Sequence, residues 1–436
     1  MSQEIGERQE EFAALIGIDW ADREHHVCMR VVGSNTVTSR KLLQTPEDIA
    51  EWIAGLRSQF PGRQIAVAIE QSRGAVVYAL MQYDFLTLFP INPVMVAKFR
   101  QAFTHSRAKD DPTDAELLVD LLVCHRDKLR AWKPDGEATR RLQILAEHRR
   151  KAVNLRSQLS NRLLSLLKVY FPQAVELCGC NLFYPVACDF LAAWPTLEAA
   201  KSARKETIRK FYYAHNIRRP ETIEQRLKLI AEAQPLTTDV AVIETHALAA
   251  AMIVGQLRSL HKFLLKYDQQ IAQTFRSHDD AGIFSSFPGA AEAMAPRLLA
   301  AFGSDREHFG SAAEMQKFSG VAPVTERSGQ SQWVHRRWSA PKFVLQTFHE
   351  YANISIRYSI WAKALYEHLR AKGKGHHTAI RAVAFKWIRV MFRCWQDRVP
   401  YDEIAYIKTL QKRGSYLFGR IADAQQKTTM QGAVIG

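Results

Sequence analysis

The fold of this chain is best derived from one short stretch, Lys109-Asp110-Asp111-Pro112-Thr113-Asp114-Ala115. Pro112 suits the first turn of a helix, and Asp111 before it is a favoured N-cap residue, so a helix is predicted to start here. Asp111 and Asp114 then lie three residues apart on one helix face. Such close carboxylates repel unless a positive group lies between them, and a hard divalent cation is the usual solution. The alternative is a solvated acidic helix start that interacts favourably with the helix dipole.

Two more carboxylates each end a short apolar run. Asp19 follows the apolar residues 14–18, and Glu70 follows 65–69. Runs of this kind predict strands that are covered on both faces, and ligands of open α/β sheets bind at the carboxyl ends of strands. We therefore expect four carboxylates to converge on one metal site, with Mg²⁺ as the ion: Asp19, Glu70, Asp111 and Asp114.

The other elements of the first 135 residues alternate between strands and helices. Residues 26–32 and the turn at Gly33 predict a hairpin that leads into a third strand at 36–43. Thr45-Pro46 opens a predicted helix, and a further strand is predicted at 85–89. The pattern indicates one α/β domain, with hairpin strands first and crossover units after them.

Bulk properties limit the class of protein. A chain of 436 residues is long enough for two or three domains. Its net charge of +15 and pI of about 9.6 favour a polyanionic partner, nucleic acid before a membrane surface. Residues 1–11 show no secretion signal and no apolar run is long enough to span a membrane, so we expect a cytoplasmic protein. The six cysteines fit reduced thiols, and the cluster Cys178, Cys180 and Cys188 lacks the matched second pair of a typical zinc site.

The middle of the chain predicts long helices. Leucines recur at three- and four-residue steps from Leu142 to Leu166, opposite a face that carries Arg149, Arg150 and Arg156. A second apolar stripe runs through residues 240–274. We interpret the two as an antiparallel helical hairpin or coiled coil, which could also serve dimerisation and bind nucleic acid on its basic face.

Charge is concentrated near the end of the chain. Residues 327–393 hold thirteen Lys+Arg and two acidic residues, with aromatic residues between them. This density favours a surface that follows a nucleic-acid backbone, although many of the aromatics must belong to the core. Before this segment, Phe287-Pro288-Gly289 predicts a turn into a helix at 296–302, similar to helix-hairpin-helix elements, except that Ala291 stands where a second glycine is usual.

Ser328 lies within the basic segment. Ser328-Gly329 is common turn chemistry and is a weak signal by itself. Arginines around it could neutralise a phosphate, which makes Ser328 a possible nucleophile for a phosphodiester. We expect the basic residues that contact nucleic acid to include Lys109, Arg327, Arg336, Arg337 and Lys342.

These motifs together resemble a known family. The ordered set is Gly17-Ile18-Asp19, Ile69-Glu70, Asn92-Pro93, Lys109-x-Asp111-x-x-Asp114-Ala115, Phe287-Pro288-Gly289, Gly320-Val321-Ala322-Pro323 and Ser328-Gly329. It resembles the DEDD transposases of the insertion-sequence one-ten family, to which Piv-type invertases are related, over nearly the whole chain.

The resemblance implies an α/β plus all-α fold. A RuvC-like (RNase H-like) domain at 14–135 would follow a disordered tail at 1–13. A helical coiled-coil region at 136–280, a mainly helical serine-bearing domain at 281–400 and a tail at 401–436 would complete the chain.

The resemblance also implies a mechanism and partners. Asp19, Glu70, Asp111 and Asp114 would bind Mg²⁺, and Ser328 would attack the scissile phosphate to form a transient phosphoserine bond. Donor and target double-stranded DNA would be paired by a structured bridge RNA, and the enzyme would act as a homodimer or homotetramer.

Two other functions are compatible with the same residues. In a metal-dependent nuclease or junction resolvase, water would attack the phosphate and Ser328 would only cap a turn. In a non-catalytic nucleic-acid-binding protein, the acidic cluster would be structural.

Overall fold

The computed structural model describes residues 11–34, 36–71, 73–103, 111–179 and 181–421. Two compact units divide the chain, residues 1–134 and residues 135–436. The first holds a mixed sheet with helices on both faces, and the second is almost entirely helical. This agrees with the predicted mixed α/β start and mainly helical remainder.

A five-stranded sheet forms the centre of the first unit, in the order β3-β2-β1-β4-β5. Its strands are β1 (Phe12–Asp19), β2 (Glu24–Val31), β3 (Val37–Leu43), β4 (Gln64–Ile69) and β5 (Leu86–Pro90). The hairpin strand β2 is antiparallel to β1, whereas β4 is parallel to both β1 and β5. The apolar strands β1 and β4 lie in the middle, where both faces are covered, and the more polar β3 forms an exposed edge.

Among the described residues four helices cover this sheet: α1 (Pro46–Gln59), α2 (Ala75–Leu80), α3 (Pro93–Phe103) and α4 (Asp111–His125). One apolar layer joins α1 and α2 to one face, and a second layer joins α3 and α4 to the other. Thr45 accepts a hydrogen bond from the amide of Asp48 and caps α1, as its sequence predicts.

Two boundaries in this unit differ from those predicted. The tail predicted at 1–13 is too long, because the buried Phe12 already belongs to β1. Asp111 was predicted to be the N-cap residue before the helix, but it is the first residue of α4 itself. Helix ends commonly shift by one residue, and Asp111 and Asp114 still lie within the first turn.

Among the described residues the second unit begins with seven helices, of which the first and the last are long, and a two-stranded sheet follows later. Its helices before residue 280 are α5 (Glu137–Tyr170), α6 (Ala174–Cys178), α7 (Pro185–Ala193), α8 (Leu197–Ser202), α9 (Lys205–Ala214), α10 (Pro220–Glu232) and α11 (Val240–Arg276). The later elements are α12 (Ala281–Ser285), α13 (Ala291–Phe302), α14 (Ala312–Phe318), β6 (Val324–Ser328), β7 (Ser331–His335), α15 (Lys342–Ser355), α16 (Ile360–Ala371), α17 (His376–Asp397) and α18 (Glu403–Lys412).

The two long helices α5 and α11 pack against each other in antiparallel directions. The first turns of α5 share a core with the last turns of α11, and Arg149 forms an ion pair with Asp268. Leu163, near the other end of α5, shares a second core with Ile253. By length and composition alone α11 could cross a membrane, but its buried stripe is the face that packs on α5 and on the short helices.

The core near the end of the chain is larger than the sequence predicts. Residues 401–421 are not a tail, since α18 lies there and Leu410, Leu417 and Ile421 are buried with the tryptophans of α16 and α17. The helix predicted at 296–302 begins earlier, at Ala291, and carries Pro296 inside it. Residues 422–436 lie outside the described residues.

Candidate active site

Asp19 and Glu70 lie side by side at one edge of the sheet of the first unit. Asp19 is the last residue of β1, and Glu70 directly follows β4. The two strands are parallel neighbours, with Ile18 opposite Ile69. The carboxyl ends of parallel strands meet at the same edge, so the parallel pairing brings these two carboxylates together.

Helix α4 packs closely against β1 because Gly17 has no side chain. A Cβ atom at Gly17 would lie 2.9 Å from the Cβ of Leu118 and 3.0 Å from the amide nitrogen of Val119, and would collide with the carbonyl oxygen of Ala115. Because Gly17 is two residues before Asp19, this contact brings the first turn of α4 to the carboxylate edge of the sheet. Asp114 directly precedes Ala115 in that turn.

Asp114 already has a positively charged partner. Its side chain is only 3% exposed and accepts a hydrogen bond from the Arg100 guanidinium on α3. A buried carboxylate is stable only when it is paired, and here the guanidinium supplies the charge. Arg100 lies on the helix that precedes the acidic stretch, but no local pattern in the sequence predicts that it pairs with Asp114.

The acidic set is only partly described. Asp111 lies in the first turn of α4, but its side chain is outside the described residues, as is all of Lys109. Within the part of the chain that the structure describes, no three His, Cys, Asp or Glu side chains form a metal-binding group. Asp19, Glu70 and Asp114 nevertheless offer oxygen atoms, the donors that Mg²⁺ prefers, at one end of the sheet.

Ser328 lies at the end of a β-hairpin rather than in an irregular loop. It is the last residue of β6 and pairs with Ser331 across the two-residue turn Gly329-Gln330. Gly329 has a φ of +56°, the left-handed conformation that the first central residue of a tight hairpin turn requires. The Ser328 side chain is exposed and its hydroxyl makes no hydrogen bond to another described residue.

The base of this hairpin is fixed by a second close contact. Gly320 has a φ of +73°, and a Cβ atom there would collide with the Cβ of Ala340. Residue 320 precedes β6 and residue 340 follows β7, so the contact joins the two ends of the segment that carries Ser328. The glycine of the Gly-x-x-Pro motif therefore has a packing role.

Cationic side chains lie along the segment that carries Ser328. Arg327 precedes it, Arg336 and Arg337 follow β7, and Lys342 begins α15. In the described ranges none of these four cations forms an ion pair with a carboxylate. The predicted basic residues of this segment are thus available to anionic ligands.

The sequence identified interleaved aromatic residues in the basic segment but did not separate the exposed rings from the buried ones. Trp333 and Trp338 are 57% and 68% exposed, whereas Trp361, Trp387 and Trp395 are buried. The basic segment contains both kinds, and composition alone does not separate them. The alternation of residues 331–335 was the signal that could have identified a strand with Trp333 on one face.

The turn at Pro288-Gly289 supports packing more clearly than phosphate binding. A Cβ atom at Gly289 would lie 2.6 Å from the Cδ2 atom of Tyr358, so the glycine accommodates that ring. Ala291 has a φ of +40°, a conformation that glycine adopts far more easily. Ala291 therefore carries backbone strain at the position where helix-hairpin-helix elements usually have glycine.

The cysteines and part of the basic helix face have structural roles. Cys178 and Cys188 are buried free thiols in the core beside α7, where burial raises the pKa of Cys178 to about 12 and that of Cys188 to about 11. Cys180 lies outside the described residues. On α5, Arg150 pairs with Glu350 and Arg156 lies over the Phe183 ring, so this face is partly used within the chain.

Comparison with known proteins assigns the class. Residues 16–172 match a family model described as a transposase, that of the DEDD transposases of IS110 elements. Residues 281–367 match the transposase family of IS116, IS110 and IS902. The two matched regions contain the acidic sheet edge and the Ser328 hairpin. The class is therefore that of DNA transposases, enzymes of DNA recombination, whose DEDD domains are RuvC-like in general.

Relatives extend the match along the chain. The transposase assigned to the mini-circle IS117 of Streptomyces coelicolor is 29% identical over 91% of this chain and 97% of its own length. A 42 kDa protein of insertion element IS900 from Mycobacterium paratuberculosis is 24% identical over 88% of this chain and 96% of its own. The chain belongs to the IS110 family of insertion-sequence transposases, the one-ten family that its motifs resemble.

Proposed function

We propose that this transposase cuts and rejoins DNA through a phosphoserine intermediate formed by Ser328. The observation that carries the proposal is the exposed Ser328 hydroxyl at the end of a hairpin whose neighbouring arginines have no described carboxylate partner. These cations are suited to hold a phosphodiester beside the hydroxyl and to stabilise the charge that develops on it.

In the proposed step, the Ser328 Oγ attacks the phosphorus atom. The Ser328 hydroxyl loses its proton as a serine–phosphate bond forms, the bond from phosphorus to one deoxyribose oxygen breaks, and that oxygen takes up a proton, so that no net proton is gained or lost. One phosphodiester is exchanged for another, so the reverse attack by a deoxyribose hydroxyl rejoins DNA without ATP. Among the described residues no base contacts the Ser328 hydroxyl.

Four carboxylates are proposed to hold Mg²⁺: Asp19, Glu70, Asp111 and Asp114. Their oxygens match the preference of a hard divalent cation, and the parallel pairing of β1 and β4 places two of them side by side. A divalent ion held there would neutralise charge on the phosphoryl oxygens and stabilise the departing oxygen. Arg100 keeps Asp114 oriented toward its own guanidinium, so Asp114 is a ligand only if this pair rearranges or shares an oxygen.

The partners are proposed from the family resemblance and from charge. The net charge of +15 suits a complex with donor and target DNA and with a structured guide RNA. Cleavage of several strands requires several active sites, which favours a homodimer or homotetramer. The expected compartment of such a DNA-acting protein is the cytoplasm.

The test is a search for protein covalently bound to DNA. Purified protein with its copurifying RNA, Mg²⁺ and labelled DNA of the joined element ends is resolved by denaturing electrophoresis. A labelled protein band is expected from the native chain and from Ser331→Ala, which lies directly opposite Ser328 in the hairpin. It should be lost in Ser328→Ala, in Asp19→Asn and with a chelator. DNA cleavage without a band, unchanged in Ser328→Ala, would instead identify a nuclease that uses water.

A further inference from the structure

The hairpin that carries Ser328 also presents an aromatic surface. Trp333 on β7 is 57% exposed and Trp338 beyond it is 68% exposed, whereas the other tryptophans of this unit, Trp194, Trp361, Trp387 and Trp395, are buried. Large exposed indoles grouped in one place indicate a surface that binds a partner. The nature of that partner follows from where these rings lie and from what surrounds them.

Strand register places Trp333 on the same face as Ser328. Ser328 is opposite Ser331, and Glu326 is opposite Trp333. Residues directly opposite each other in an antiparallel pair project to the same face, as do residues two apart along one strand. Ser328 and Trp333 are therefore diagonal neighbours on one face. The backbones of such neighbours are about 7–8 Å apart, a distance that an aromatic side chain can span.

The indole of Trp333 is held in place by its neighbours. It stacks on the His335 imidazole with ring centroids 4.3 Å apart and planes inclined by 29°. Trp338 donates a hydrogen bond from Nε1 to Nδ1 of His335 at 2.9 Å, and Nε2 of His335 lies 3.1 Å from Oε1 of Glu326. Nδ1 of His335 also lies 2.7 Å from the carbonyl oxygen of Arg336. The ring stack is thus fixed across both strands, and in the described chain only His335 stacks on Trp333.

The charge around these rings favours nucleic acid over an apolar partner. The Arg336 guanidinium lies 5.0 Å from the centroid of Trp338, Arg337 follows it, and Arg327 lies on the other face of β6. Rigid aromatic rings between arginines are the combination that binds unstacked bases and their phosphates. An apolar protein partner would instead have to cover these cations without neutralising them.

We propose that Trp333 is a substrate-positioning residue that stacks on a DNA base adjacent to the phosphodiester cut by this enzyme. This rests on the proposed function, in which Ser328 attacks that phosphodiester. Stacking of the base on Trp333 holds its nucleotide out of the duplex and fixes the phosphate in front of the Ser328 hydroxyl. Since every base has an aromatic face, the contact positions the strand without selecting its sequence.

A fluorescence experiment tests stacking independently of cleavage. Ser328→Ala protein, which should leave the DNA uncut, is mixed with its RNA and joined-end DNA that carries 2-aminopurine on one or the other side of the cleavage position. Stacking on an indole quenches this base, so Trp333→Ala in the same background should increase its fluorescence. Val334→Ala is the control, because Val334 is 55% exposed but points to the opposite face. Equal fluorescence in all three proteins would overturn the proposal.

A kinetic experiment tests positioning. Trp333→Ala should lower the rate of adduct formation by about 10- to 100-fold, the effect of losing one base–aromatic stack, whereas Trp333→Phe should retain most of the rate. On DNA with an abasic site at that nucleotide, native and Trp333→Ala proteins should react equally. If Trp333→Ala reacts at the native rate while Ser328→Ala forms no adduct, the stacking role of Trp333 is refuted and the serine mechanism is supported. If Ser328→Ala still forms the adduct, the proposed function itself fails, and with it this inference.

Discussion

Arg100 and Asp114 form an ion pair in which the carboxylate is almost completely shielded from solvent. The pair connects α3 to the first turn of α4, next to the proposed metal ligands. In the described structure the guanidinium is therefore the group that neutralises Asp114, at a place where the family resemblance implies a cation.

Removal of Arg100 should destabilise the first unit. Arg100→Ala leaves a buried carboxylate without its partner, and we expect a loss of about 3–5 kcal/mol in the free energy of unfolding. Urea denaturation measures the loss. If the four carboxylates bind Mg²⁺, millimolar Mg²⁺ should restore part of it, and Asp114→Asn added to Arg100→Ala should abolish that restoration. An unchanged midpoint in Arg100→Ala would contradict the role of the pair.

Gly17→Ala should displace α4 from the sheet. The added methyl group meets backbone and side-chain atoms of α4, and overpacking of this kind costs about 1–3 kcal/mol. The rate of DNA cleavage should decrease even under conditions where the variant remains folded, because Asp111 and Asp114 move with the helix. The matched control is Gly55→Ala in α1, where a Cβ atom has no neighbour within 4 Å; it should stabilise by about 1 kcal/mol. Similar thermal midpoints for both variants would refute the close approach.

Ala291→Gly should stabilise the second unit. The backbone of Ala291 has a φ of +40°, which costs an L-residue about 1 kcal/mol and costs glycine almost nothing. An increase in thermal midpoint is expected despite the flexibility of glycine. Ala293→Gly, an exposed helical position two residues later, should lower the midpoint instead. The prediction is contradicted if both substitutions destabilise equally.

Leu417→Ala should show that the end of the described chain belongs to the core. Leu417 is fully buried with Trp361 and Trp387, and truncation of such a leucine costs about 2–5 kcal/mol. Ile404→Ala on α18 is the control, since Ile404 is 67% exposed and its loss should change stability by less than about 0.5 kcal/mol. A tail would tolerate both changes equally in a denaturation experiment.

His349 should contribute to a loss of stability in mild acid. Burial lowers the pKa of His349, and the nearby His377 and Arg381 lower it further. The folded protein then binds this proton less readily than the unfolded chain, so stability is full above the ordinary histidine pKa of about 6.5 and decreases as pH falls below it. His349→Gln should reduce the difference between unfolding free energies measured at neutral and mildly acidic pH. If the native chain and His349→Gln lose the same unfolding free energy between neutral and mildly acidic pH, His349 is excluded as a cause.

The sequence predicted most of what local patterns determine. Apolar runs that end in Asp19 and Glu70 identified β1 and β4, and the leucine stripes identified α5 and α11 because their periodicity is long. The hairpin of Ser328 was missed because its strands are only five residues each and Ser-Gly is ordinary turn chemistry. Contacts between distant residues, such as Gly17 with Ala115 or Leu417 with the tryptophans, leave no local signal.

Some site residues could likewise be predicted from local sequence, and others depend on how distant elements pack. Carboxylates at strand ends could be named from the sequence because the edge of a parallel sheet brings them together. The ion pair of Arg100 with Asp114 depends on the angle between α3 and α4, which no local pattern determines. Exposure of Trp333 depends on which aromatics the surrounding helices cover, and residues 327–393 hold exposed and buried rings in the same composition.

The antiparallel pair α5 and α11 imposes a constraint on the length of both helices. One end of the pair is embedded in the core with α13, and the other in the core with α7, separated along an α5 that is about 50 Å long. Insertion of a single residue between those ends would turn everything beyond it by about 100° and expose one of the two buried stripes. Evolution can therefore lengthen this pair only by near-integral numbers of turns made in both helices together, so insertions and deletions should accumulate in the loops instead.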